Sequence, residues 1–136
     1  MSAAMDGVEI IRLRRREDSR GWLLKILMRH QLGGSERFGE IYVTTARPGE
    51  SKGGHFHELT TEWFALVRGS GVLTLEDKTT GERRTVELSE EEPVTVRVPP
   101  MVAHTVKNTG RGMLYLLAYS DRPYDPEATD TYAVEL

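Results

Sequence analysis

The sequence predicts one all-β domain, built as a sandwich or a barrel. Three observations carry that expectation. Short segments with apolar–polar alternation recur along the chain. Clusters of Gly, Pro, Asp and Asn split them at roughly 8–12-residue spacing. No stretch holds apolar residues at a convincing helical period. The length, 136 residues, is that of one domain with one core.

The elements follow in order. Val8 to Arg14 mixes apolar and β-branched residues as a first strand. Asp18-Ser19-Arg20-Gly21 is a turn, and Trp22 to Met28 reads as a strand. Gln31 to Arg37 contains Gly33-Gly34 and reads as loop. Glu40 to Ala46 places Ile41, Val43 and Thr45 in alternation, and Pro48-Gly49 breaks it. Ser51-Lys52-Gly53-Gly54 extends that break. His55 to His57 and Glu62 to Arg68 come next, then a hairpin loop at Gly69-Ser70-Gly71. Val72, Thr74 and Glu76 alternate with Leu73, Leu75 and Asp77. A turn at Lys78-Thr79-Thr80-Gly81 leads to a strand at Arg83 to Leu88 and an acidic loop, Glu90-Glu91-Glu92-Pro93. Val94, Val96 and Val98 alternate with Thr95 and Arg97 until Pro99-Pro100. His104 to Lys107, a turn at Asn108-Thr109-Gly110, and Met113 to Tyr119 complete roughly nine to eleven strands. Asp121 to Asp130 carries two prolines and reads as irregular.

Composition narrows the function classes. Hydrophobic residues are 38% and charged residues 29%, as in an ordinary soluble globular chain. The net charge of −3 gives no general attraction to nucleic acid or to anionic membranes. With no cysteine, there is neither a disulfide nor a thiolate metal site, which is compatible with the cytoplasm. Met1 to Gly7 does not read as a signal peptide, and no apolar run is long enough to span a bilayer.

The chemistry concentrates in the histidines. There are four: His30, His55, His57 and His104. On a strand, residues i and i+2 face one side, so His55 and His57 can aim at one point. Glu62 lies five residues after His57. That odd offset reaches the same face only if a turn or bulge intervenes at Glu58-Leu59-Thr60-Thr61. His104 follows Pro99-Pro100 and is remote in sequence, so only a closed fold brings it to the others. Three imidazoles and one carboxylate suit one divalent metal: zinc by preference, with iron, manganese, nickel or cobalt as alternatives. Gly49, then His55-x-His57, Glu62 and Gly69 fit the first cupin motif without a gap, and Pro99, His104 and Asn108 fit the second. Met101 and Pro93 stand where that second motif usually has glycine.

The chain resembles the metal cupins, and within them the sugar-nucleotide group of dTDP-4-dehydrorhamnose 3,5-epimerase. It is most similar to the C-terminal zinc cupin of bifunctional capsular-polysaccharide UDP-sugar epimerase/reductases. The matching stretches are Asp18 to Gly21, Pro48-Gly49, Lys52 to His57, Glu62-Trp63-Phe64, Pro99-Pro100, Ala103-His104 and Lys107 to Gly110. Tyr124-Asp125-Pro126 and Asp130-Thr131-Tyr132 are more particular to the capsular group.

The resemblance implies a single-domain, RmlC-like jelly-roll barrel at 18–120. An N-terminal strand segment at 1–17, open to exchange in a dimer, precedes it, and a tail at 121–136 packs on it. It implies His55, His57, Glu62 and His104 as metal ligands. It implies an epimerase or ketoisomerase that removes a proton beside the ketone of a nucleotide-linked 4-keto-6-deoxy sugar, in surface polysaccharide biosynthesis. Lys52 and Tyr42 are the candidate bases, and Arg20 the candidate diphosphate contact. A homodimer is expected; since no Gly-x-Gly-x-x-Gly follows a strand, the resemblance implies either an epimerase alone or a partner to a separate reductase. The alternatives are another metal-cupin enzyme, such as an iron dioxygenase, and a non-catalytic sugar-binding cupin. Arg12, Arg14, Arg15 and Arg16 read as a solvated face, His30 as a surface residue, and Trp63 and Phe64 as core, with Trp22 grouped with them.

Overall fold

The computed structural model describes residues 3–34 and 37–136. Ser35 and Glu36 of the expected 31–37 loop, and Met1 and Ser2, lie outside the described residues. The described strands are β1 (Glu9–Arg12), β2 (Arg16–Asp18), β3 (Gly21–Leu23), β4 (Glu40–Ala46), β5 (Ser51–Phe56) and β6 (Glu62–Arg68). They continue as β7 (Ser70–Asp77), β8 (Arg83–Ser89), β9 (Val94–Val98), β10 (Val102–Asn108), β11 (Leu114–Ser120) and β12 (Tyr132–Ala133). Two short turns of helix, Ala3–Asp6 and Arg29–Gln31, are the exceptions to an all-β chain. No described helix is long and apolar enough to cross a membrane.

Two antiparallel five-stranded sheets face each other. One runs β1-β9-β6-β11-β4 and the other β12-β5-β10-β7-β8. Their ladders stay separate, so closure is that of a two-sheet jelly roll. Alternation builds the space between them. Along β7, Leu73, Leu75 and Asp77 point inward and Val72, Thr74 and Glu76 do not. Phe64, Leu66, Val96, Val98, Val106, Leu116 and Ala118 fill the core with them. Strand β6 departs from alternation, with Glu62 to Leu66 all buried. Its second face is covered by the segment after β3. Ile26 and Leu27 line one cavity with Trp63 there, and the Thr95 hydroxyl donates to the Ile26 carbonyl at 2.6 Å.

That covering segment corrects the strand expected at Trp22 to Met28. Only Gly21–Leu23 is extended in a ladder, and it pairs with β2 in a separate hairpin. The apolar run beyond it buries side chains by lying across a sheet, not by joining one. Trp22 remains half exposed under the Arg15 guanidinium, so it is not core as Trp63 and Phe64 are. β1 pairs with β9 of its own chain.

A second correction concerns Ser51 to Gly54, expected as an extended break. It belongs to β5. Gly53 and Gly54 have φ of +103° and +81°, and the β5–β10 register slips beside them, from His104↔His55 to Thr105↔Gly53. This glycine bulge sets His55 opposite His104.

Candidate metal centre

His55 is the last residue but one of β5, His57 follows the strand, and His104 sits within β10 of the same sheet. Glu62 opens β6 in the facing sheet. The bend over residues 58–61 therefore switches sheets, which satisfies the demand of the odd His57-to-Glu62 offset. One ligand atom from each of His55, His57, Glu62 and His104 can be chosen so that all lie within 4.8 Å of one another. The ring centroids are 4.8 Å apart for His55–His104, 5.3 Å for His55–His57 and 5.6 Å for His57–His104.

Glu62 is the hub. Its Oε1 lies 2.8 Å from His57 Nε2 and 3.4 Å from His104 Nε2. Its Oε2 accepts the hydroxyls of Tyr42 at 2.9 Å and Ser120 at 2.7 Å. Burial alone would raise its pKa, but the His57 hydrogen bond, the nearby imidazoles and Ser120 outweigh that and hold it at about 2. The carboxylate is thus ionised at neutral pH. Burial lowers the pKa of His104 to about 4 and lowers that of His55, so both offer free lone pairs near pH 7. For His57, burial is overcome by the Glu62 hydrogen bond and charge and by the Asp130 carbonyl, and its pKa rises. Three imidazoles converging on an ionised carboxylate fit a divalent ion by donor chemistry as well as by spacing.

A cavity of about 590 Å³ opens over this cluster, with Tyr42, His55, His57, Glu62 and Ser120 in its lining. Arg37 and Arg122 also line it, with Tyr124 and Asp130 from the tail. A smaller cavity of about 130 Å³ touches Lys52, Tyr42, His55 and His104. Lys52 and Tyr42 are therefore both beside the histidines. Tyr42 is engaged with Glu62; burial, then the Glu62 charge and hydrogen bond, push its pKa far above the usual phenol range.

Arg20 is not brought to this cavity. Its side chain, 89% exposed on the β2–β3 turn, pairs with Asp18 at 2.8 Å, which satisfies it locally. Sequence reasoning passed over Arg37, Arg122, Ser120 and Asp130. The first two sit in irregular segments without a pattern, and Ser120 is one inward position among several. Asp130 stood in a noted motif, but nothing in the motif gave it a role.

The fold is that of a cupin, an RmlC-like jelly roll, and the four-residue cluster is the candidate metal centre within it. A dTDP sugar isomerase from Desulfovibrio desulfuricans superposes with a TM-score of 0.85 at 24% identity, covering 96% of this chain and 85% of that one. The capsular polysaccharide assembling protein CapF of Staphylococcus aureus superposes at 0.70 with 25% identity, covering 91% of this chain and 34% of that one. Residues 16–132 match the polysaccharide biosynthesis C-terminal domain, and the chain belongs to that family. The spore coat polysaccharide biosynthesis protein SpsL of Bacillus subtilis is 28% identical, with 93% of this chain and 86% of that protein covered. A UDP-2-acetamido-2,6-beta-L-arabino-hexul-4-ose reductase of Pseudomonas aeruginosa is 28% identical over 70% of this chain, which spans only 26% of that protein.

Proposed function

We propose that this protein is a metal-dependent epimerase or ketoisomerase acting on a nucleotide-linked 4-keto-6-deoxy sugar, in cytoplasmic steps of surface polysaccharide biosynthesis. The observation that carries the reading is the convergence of His55, His57, Glu62 and His104 beneath a cavity of about 590 Å³. The family match and the epimerase-type fold support it.

The four residues would hold one divalent ion, zinc by preference. Bound there, it would supply Lewis-acid stabilisation of charge developing at the sugar ketone. The remaining work falls to the chain. Glu62, ionised and fixed by Tyr42 and Ser120, is the one anionic donor of the cluster. Lys52 is the candidate that removes the proton, and Tyr42, whose hydroxyl donates to Glu62, is the second candidate. Arg37 and Arg122, which line the cavity, join Arg20 as candidate diphosphate contacts. Ile41 and Val43, each 58% exposed on the edge strand β4, offer the apolar face for a second copy. A separate reductase would consume the product.

Solvent exchange tests the reading. The metal-loaded protein is mixed in D2O with UDP- and dTDP-4-keto-6-deoxy sugars, and the C3 proton is followed by NMR. Metal-dependent loss of that signal, abolished in His55→Ala, is the expected result. Retention of the proton with both nucleotides would exclude enolisation as its chemistry.

A further inference from the structure

The bend that joins the two sheets is a weak point in the site. It must return Glu62 to the histidine face, and it exposes three successive backbone N–H groups at Glu58, Leu59 and Thr60. One side chain takes all three. Asp130 Oδ1 accepts Glu58 N at 2.9 Å, and Oδ2 accepts Leu59 N at 2.9 Å, Thr60 N at 3.0 Å and the Thr60 hydroxyl at 2.8 Å. The Asp130 main-chain carbonyl does a different job and lies 2.9 Å from His57 Nδ1. A carbonyl only accepts, so Nδ1 carries a proton and Nε2 is the nitrogen turned to Glu62, 2.8 Å away.

The rest of the tail holds this arrangement in register. β12 pairs with β5, Tyr132 opposite Phe56 and Ala133 opposite His55. Val134 N donates to the Gly54 carbonyl at 2.9 Å, and the Tyr132 hydroxyl donates to Glu58 at 2.8 Å. The tail thus runs along the strand that bears His55 and clamps the bend after His57.

We propose that Asp130 is a positioning residue for the metal centre: its carboxylate locks the 58–60 bend while its carbonyl fixes His57 with Nε2 toward Glu62. Tail docking and metal affinity are then coupled. This rests on the four-residue cluster being a metal site. Groups that orient a ligating imidazole from behind typically change metal affinity by 10–100-fold.

The test uses the full chain with Asp130→Ala, Asp130→Asn and, as a tail control, Glu127→Ala. Zinc affinity is read by chelator competition, and folding by circular dichroism. Asp130→Ala is expected to bind zinc about 10–100-fold more weakly, Asp130→Asn to fall between, and Glu127→Ala to match the parent. Long-range proton–nitrogen NMR of the zinc-loaded parent is expected to show His57 protonated at Nδ1. Parent-like zinc affinity in a folded Asp130→Ala, or a His57 proton on Nε2, would overturn the assignment and leave the metal site standing. If Asp130→Ala does not fold, Asp130→Asn, which keeps the volume, decides in the same way. A parent chain that takes up no divalent metal would remove the metal site itself, and the positioning role with it.

Discussion

Asp77 shows how much one buried carboxylate does outside the site. It is fully buried at the end of β7, and its Oδ1 accepts Thr79 N at 2.7 Å, tightening the turn into β8. Burial would raise its pKa, but the backbone donors of Thr79, Thr80 and Met5 lower it below 3.8. A depressed carboxylate contributes stability above its unfolded pKa and loses it as pH falls through the folded value. Asp77→Ala is therefore expected to cost about 1–3 kcal/mol at neutral pH. The gap from the parent should narrow as denaturant melts are repeated below about pH 4. At this scale the sequence was informative about the candidate ligands and silent about their supports. His55, His57, Glu62 and His104 were legible because motif spacing names them. Tyr42 was legible as a site residue, but its bond to Glu62 was not, since that contact crosses from β4 to β6 with β11 between them. Arg20 was legible as a turn arginine, but its pairing with Asp18, away from the cavity, was not.

Among elements, two loops set the site's shape. The Gly53-Gly54 bulge brings β5 close to β10: a Cβ at Gly53 would lie 3.0 Å from the His104 carbonyl oxygen, on a backbone with φ of +103°. Gly53→Ala is expected to destabilise the fold by about 1–3 kcal/mol. Zinc binding should weaken beyond what the thermal melt alone accounts for, because His55 and His104 lose their register. At the β9–β10 connection, Met101 holds φ of +71° where related motifs place glycine. Its N–H donates to the His57 carbonyl at 2.7 Å, so this strained turn braces the site. Met101→Gly is expected to raise the denaturant midpoint by an equivalent of about 1 kcal/mol or less. A lower midpoint would show that the Met101 side chain's packing outweighs the backbone strain. The departure from the motif was visible in the sequence; that the backbone keeps the glycine conformation regardless was not.

Across the whole molecule, strand existence and turn placement followed from alternation and from Gly, Pro and Asn. Where a second sheet face is covered, as at β6, alternation vanishes and only position remains. The 24–28 segment misled for a related reason, since an apolar run reads the same in a ladder as lying across one. The two-sheet pairing, which brings β5 and β10 against β6, could not be read from periodicity. It is also what gathers histidines that are 49 positions apart, His55 and His104, into one cluster.

We propose that those four side chains hold a single divalent ion. Crystals grown from zinc-loaded protein and measured on both sides of the zinc absorption edge test it directly. One anomalous peak enclosed by His55, His57, Glu62 and His104, lost in His104→Ala, is the predicted result. No peak there in protein shown to be folded and exposed to zinc, or a peak only elsewhere on the molecule, would contradict it.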